Sequence, residues 1–143
     1  MKKLLLLLFL IPLISFTEDW TGEKENIYLQ DRNGIKYEVN SEVGFTGKYV
    51  RYSDNGQKSY ETNYKNGKEN GLETLWYKNG QKSYEVNYKN SNKEGLMTGW
   101  HENGQKSYEG NFKNDNNVGL HTWWDKEGNV TISETYKDGK LVK

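Results

Sequence analysis

The chain has 143 residues, 20 basic and 20 acidic side chains, and no cysteine. That length allows one domain, and the missing cysteine excludes a disulfide framework, a thiolate metal site, a catalytic thiol and a lipidated cysteine. Balanced charge argues against a nucleic-acid-binding domain, which would show a basic stripe, and against recruitment to anionic lipid by charge.

Met1-Lys2-Lys3 is a short positive head, and Leu4–Phe16 is an apolar run broken only by Pro12 and Ser15. This reads as a secretory signal peptide over residues 1–17, cut after Thr17; the run is shorter than the roughly 20 residues that span a bilayer. The alternative is an uncleaved N-terminal anchor. Both readings place the rest of the chain outside the cytoplasm, in the periplasm or at the cell surface, meeting a membrane only through the leader. Setting aside the leader, with Lys2 and Lys3, leaves 126 residues carrying 18 basic and 20 acidic groups. In that remainder Leu, Ile, Val and Phe total 18, aromatics also total 18, and Ala is absent. Such a chain builds its core from rings, which argues against a large enclosed catalytic cavity.

Residues 18–43 form a lead-in, in which Tyr28, Leu29 and Tyr37–Val39 are candidates for a first pair of strands. Asn33-Gly34-Ile35-Lys36-Tyr37-Glu38 looks like a degenerate first repeat, offset from Asn55 by 22 residues. Residues 44–143 are then a repeat array. Asn55-Gly56-Gln57-Lys58-Ser59-Tyr60-Glu61 recurs as Asn79–Glu85 and Asn103–Glu109, a period of 24 residues. The same spacing links Gly47, Gly71, Gly95 and Gly119; Gly56, Gly80, Gly104 and Gly128; Tyr52, Trp76, Trp100 and Trp124; and Tyr60, Tyr84, Tyr108 and Ile132. A degenerate last unit, with Val130-Thr131-Ile132 in place of Lys-Ser-Tyr, is what a cap requires.

Within each unit Leu72–Tyr77 and Lys82–Tyr88 alternate with the period of a strand, and Asn-Gly between them signals a hairpin. A two-residue loop would set Leu75 opposite Tyr84. A three-residue loop, Lys78-Asn79-Gly80 with a left-handed glycine, would put Leu72, Thr74, Trp76, Tyr84, Val86 and Tyr88 on one face. Because it gathers the apolar set, the second register is expected, with Tyr64 and Leu72 joined across a polar loop Lys65–Gly71. The fold class is therefore all-β: an elongated array of antiparallel hairpins in a single twisted sheet, on the order of 40 Å long at about 4.8 Å per strand.

The unit Tyr-x-Asn-Gly-Gln-Lys-Ser-Tyr-Glu-x-Asn-Tyr-Lys-Asn-Gly-Lys-x-x-Gly-Leu resembles the MORN repeat variant of many bacterial proteins. The likeness is close at Asn55–Leu72 and Asn79–Leu96 and good at Asn103–Leu120, and Gly44-Phe45-Thr46-Gly47-Lys48 resembles the segment that often opens such arrays. It covers roughly residues 28–143 and implies hairpins with no active site and no cofactor. Arrays of this kind are associated with protein assembly and, in some eukaryotic cases, with membrane lipids. One bacterial branch is labelled antitoxin-like, and the leader departs from a cytoplasmic antitoxin.

His101 and His121 occupy different places in their units and are expected on a polar face, without metal-ligand spacing. Glu61, Glu85 and Glu109 each have a lysine three residues earlier and read as charged groups of a wet face. The glycines match no phosphate loop and read as turn residues. Functional potential rests with the aromatic rows, since flat rings suit peptide side chains and sugars. Trp123, adjacent to Trp124, must face the other side, and an exposed patch with Tyr77 is expected there.

The leading expectation is an exported, non-enzymatic scaffold that binds a protein partner, antitoxin-like by resemblance. The alternative is a cell-wall glycan-binding module centred on Trp100, because Met97-Thr98-Gly99-Trp100 resembles the turn of choline-binding wall repeats. Exposed strand edges allow self-association, and a hydrolase using the glutamate rows ranks last.

Overall fold

The computed structural model describes residues 23–25 and 27–142, so the leader over residues 1–17 lies outside the described residues. Strand β1 (Glu23–Glu25) runs parallel to β4 (Gly47–Tyr52), and between them β2 (Leu29–Arg32) and β3 (Ile35–Glu38) form a separate hairpin. From β4 onward the chain meanders antiparallel through β5 (Lys58–Lys65), β6 (Lys68–Glu69), β7 (Gly71–Trp76), β8 (Lys82–Lys89) and β9 (Asn92–Trp100). It continues through β10 (Lys106–Lys113), β11 (Asn116–Trp124), β12 (Val130–Lys137) and β13 (Lys140–Leu141). Segments β6 and β7 are two halves of one strand, interrupted at Asn70. The fold is all-β, with consecutive hairpins in one sheet. No second layer of secondary structure packs over β5–β12 among the described residues.

Two kinds of turn alternate along the array. At the first, Gly80 N–H donates to Tyr77 O (3.0 Å) and Tyr77 N–H to Gln81 O (2.8 Å), closing the three-residue loop Lys78-Asn79-Gly80. Gly80 sits at φ +84°, where a Cβ costs about 1–2 kcal/mol, so the Asn-Gly signal is met by its expected loop. The second kind is a two-residue turn with both residues at positive φ: Asn66-Gly67, Asn90-Ser91, Asn114-Asp115 and Asp138-Gly139. It replaces the polar loop expected over Lys65–Gly71, and β6 resumes directly after it. Asn33-Gly34 also adopts this second geometry, so the upstream likeness to a first copy joins two different turns.

The face assignment is corrected one pair beyond the turn. Trp76 pairs with Lys82, but Leu75 pairs with Tyr84, so Ser83 is an extra, bulged residue. Every unit repeats it: Tyr52 pairs with Lys58 and Arg51 with Tyr60; Trp100 pairs with Lys106 and Gly99 with Tyr108; Trp124 pairs with Val130 and Trp123 with Ile132. One bulged residue inverts the alternation. Tyr84, Val86 and Tyr88 therefore share a face with Glu73 and Leu75, while Leu72, Thr74 and Trp76 lie on the other with Asn87 and Glu85. Tyr64 is buried and Leu72 is 41% exposed, on opposite faces.

The second glycine series is not in turns. Gly71, Gly95 and Gly119 lie inside strands at φ +119°, +84° and +74°. Opposite β8, β9 takes up two extra residues between Met97, paired with Val86, and Lys93, paired with Tyr88. A left-handed residue inside this excursion is what glycine supplies most cheaply.

Residues from the lead-in close the first end. Lys36 N–H donates to Gly67 O (2.8 Å), Phe45 N–H to Lys36 O (2.8 Å) and Gly67 N–H to Phe45 O (2.7 Å). The buried Phe45 ring lies 5.8 Å from that of Tyr64.

Candidate binding faces

The sheet thus presents two chemically distinct surfaces. The tyrosine face carries Tyr49, Tyr60, Thr62 and Tyr64, then Glu73, Leu75, Tyr84, Val86 and Tyr88, and beyond them Met97, Tyr108, Phe112, His121 and Trp123. Rings meet edge to face or tilted: Tyr49–Tyr60 centroids are 6.0 Å apart, Tyr49–Tyr64 6.3 Å and Tyr108–Trp123 5.0 Å. Fully buried Val86 and Thr62 lie at the base, while most rings are only partly covered.

One position in each unit decides the local chemistry of this face. It is held by Glu73, Met97 and His121. Tyr60 donates its hydroxyl to Glu73 Oε2 (2.6 Å), and in the equivalent place Tyr108 bonds His121 Nδ1 (2.7 Å). Met97 offers no such partner, and Tyr84 turns to the Tyr88 hydroxyl at 3.3 Å. His121 is fully buried, not solvated as the sequence reading expects. Its Nε2 faces Asn111 O at 3.0 Å; a carbonyl only accepts, so Nε2 donates there while Nδ1 faces the Tyr108 hydroxyl. Phe112, Trp123, Tyr108 and Tyr136 surround the imidazole with centroids 4.9–6.2 Å away. Gly110 makes room for it: a Cβ there would lie 2.7 Å from His121 Cε1 and nearer still to Nδ1 and to the Tyr108 oxygen.

Burial dominates the ionisation of this face. It pushes the phenols of Tyr60, Tyr64, Tyr84 and Tyr88 above their ordinary range, and that of Tyr108 up to about 12 with help from Tyr136. The Glu69 carboxyl is raised first by burial and then by the charge of Glu73.

The tryptophan face is built from ion pairs and indoles. Lys58 and Glu61 are 2.7 Å apart, Lys82 and Glu85 2.7 Å, and Lys106 and Glu109 2.5 Å, so the glutamates are held by the lysines three residues earlier. Burial raises the Glu61 carboxyl, but Lys58 and Lys48 outweigh it and hold it below its usual value. Lys82 Nζ lies 5.9 Å from the Trp100 ring centroid and Lys106 Nζ 6.0 Å from that of Trp124. Thr74, buried between strands, donates to Glu85 Oε1 (3.2 Å).

The turn edge links unit to unit. Asn79 Oδ1 accepts from Gln81 N–H (3.0 Å) while Asn79 Nδ2 donates to Glu102 O (2.9 Å), and Asn55 and Asn103 make the same pairs. Tyr77 donates its hydroxyl to Trp100 O (2.7 Å), and His101, its equivalent, faces Trp124 O through Nε2 (2.9 Å).

The structure does not gather the three aromatics singled out from sequence. Trp123 packs on Tyr108, Tyr77 braces the turn edge four strands away, about 19 Å, and Trp100 lies on the opposite face. Among the described residues no group of three or more His, Asp or Glu is disposed to hold a metal.

These geometries define a solenoid-like repeat protein whose unit is one hairpin closed by a three-residue turn. The profile of the MORN repeat variant family matches residues 45–66, 69–90 and 93–114, and the chain carries three consecutive repeats of that family. The matched segments end at the two-residue turns, so each covers one such hairpin. The β11–β12 hairpin repeats the form once more beyond the matched residues. No curated protein matches the chain.

Proposed function

We propose that this chain is an exported, non-enzymatic scaffold that binds a protein partner through its tyrosine face. The carrying observation is a row of partly exposed rings and aliphatics, Tyr60, Leu75, Tyr84, Met97, Tyr108 and Trp123, on a sheet that has no second layer over it among the described residues. Tyr and Trp are the residues most enriched where protein partners make their strongest contacts. The apolar leader supports the exported location, and the match to a repeat family supports a binding role.

The test is capture of partners from envelope extract by the full chain, compared with Met97→Arg and Trp100→Ala. The reading expects a stoichiometric protein that Met97→Arg loses and Trp100→Ala keeps. If that protein is toxic alone and neutralised by the chain, the antitoxin-like role follows. Retention of the same protein by Met97→Arg, or recovery of none, refutes the assignment.

A further inference from the structure

The tryptophan face poses a separate question. Its residues are identical in each of three units: Gln57, Gln81 and Gln105; Lys58, Lys82 and Lys106; Glu61, Glu85 and Glu109; Thr74, Thr98 and Thr122; Trp76, Trp100 and Trp124. Burial does not explain this uniformity, because the lysines and indoles are partly exposed. A shallow groove of about 300 Å³ lies at the centre, lined by Gln81, Lys82, Trp100 and Gly104. The Gln81 side chain stands 3.3 Å from where a Cβ on Gly104 would be, and Gln57 stands at the same distance over Gly80, so a glutamine amide lies over each of these turn glycines.

We propose that this face binds a linear, uncharged polysaccharide, with the indoles of Trp76, Trp100 and Trp124 as successive platforms. Equivalent rings are two strands apart, about 10 Å, close to the length of a disaccharide in an extended β-1,4-linked chain. A pyranose has an apolar face, which stacks on an indole, and a rim of hydroxyls. The Lys–Glu pairs and glutamine amides beside each ring supply fixed donors and acceptors for that rim. Lys82 and Lys106 are each matched by a glutamate, and Glu61 meets a second lysine, Lys48 at 3.0 Å, beside Lys58, so the stripe carries little net charge and gives little electrostatic advantage to a polyanion. Lysine and glutamate are depleted at the centres of protein interfaces, and the indoles here are separated by them, so a protein partner fits the other face better.

The test uses the full chain with cello- and chito-oligosaccharides of two to eight sugars, followed by calorimetry and tryptophan fluorescence. Affinity should climb with length as a second and third platform engage, by 100-fold or more. Trp100→Ala should lower it at least tenfold, with a melting transition close to that of the parent, whereas Trp123→Ala on the tyrosine face should leave it unchanged. Absence of binding by both sugar series overturns the proposal. So does sensitivity to Trp123→Ala without sensitivity to Trp100→Ala. Loss of a captured protein on Trp100→Ala would assign this face to a protein instead. Because the faces are opposite, the outcome is distinguishable from success or failure of the scaffold reading, which is read at Met97.

Discussion

Gly110 and His121 are one choice made twice. In β8 and β9 the same places hold Val86 and Met97, and the neighbouring tyrosine bonds elsewhere. In β10 and β11 a glycine makes room for an imidazole that takes the Tyr108 hydroxyl. Gly110→Ala puts a methyl into the buried ring and the hydroxyl at once. Overpacking a filled site costs about 1–3 kcal/mol, and disturbing the buried Tyr108–His121 bond adds about 1–2 kcal/mol. A loss of about 3 kcal/mol is expected, or roughly 10 °C in Tm for a domain of this size. Gly110→Val alone should be worse. Combined with His121→Met it rebuilds the arrangement of the preceding unit, and the pair should recover to within about 1 kcal/mol of the parent, a coupling of about 2–3 kcal/mol. Urea unfolding of the parent, Gly110→Ala, Gly110→Val, His121→Met and the double variant, followed by circular dichroism with m-values checked for constancy, measures both the single change and the cycle. Strict additivity, or a Gly110→Ala change within about 0.5 kcal/mol, would refute the account of the site.

Thr62 occupies the place of Val86, is fully buried, and its hydroxyl has no hydrogen-bond partner among the described residues. Thr62→Val should therefore stabilise the chain by about 1 kcal/mol in urea unfolding, since a buried unsatisfied hydroxyl is removed at nearly constant shape; a destabilised variant would contradict this. Asn79→Ala removes two hydrogen bonds that tie one turn to the next and should cost about 1–2 kcal/mol, with faster amide exchange at Gln81. Alkaline pH should unfold the array. The folded Tyr108 phenol is held at about 12 and an unfolded one titrates near 10, so the folded state binds that proton more tightly. Its contribution is full below pH 10 and is lost as pH rises toward 12. Urea midpoints at pH 9 and 11 check it, with Tyr108→Phe expected to flatten the slope.

Much of the architecture is legible in the sequence because glycine and asparagine mark it. The hairpins and their period follow from the recurring Asn-Gly pairs; the three-residue loop is expected because it gathers the apolar set on one face, yet the structure has that loop and divides the set between two faces. The choice of face fails because one bulge inverts it, and Ser59, Ser83 and Ser107 look like ordinary strand residues. Collecting apolar residues on one side also misleads, since these tryptophans rest against lysines on the wet side. Asn90-Ser91 and Asn114-Asp115 carry no glycine, so their two-residue turns are hidden. The buried His121 had a signal: the glycine at position 110 departs from Thr62 and Val86, and in the adjoining strand of the next hairpin the histidine departs from Glu73 and Met97.

That coincidence separates the two faces by what constrains them. On the tyrosine face each unit solves its packing differently: Thr62 with Glu73, Val86 with Met97, Gly110 with His121. A hairpin slipped by one unit would bring a mismatched set together, for example placing Val86, in the place of Gly110, against the His121 imidazole. Such a mismatch costs about 1–3 kcal/mol through overpacking, so variation here helps fix the order of otherwise interchangeable units. The tryptophan face does the reverse. Its invariant Gln-Lys-Glu-Thr-Trp set would pair equally well after a slip and contributes nothing to order. Nor does an ion pair on a wet face stabilise by more than about 1 kcal/mol. Folding alone thus leaves both the uniformity of that face and its partly exposed indoles unaccounted for. The proposed repeating ligand, meeting the same side chains in each of the three units, accounts for both.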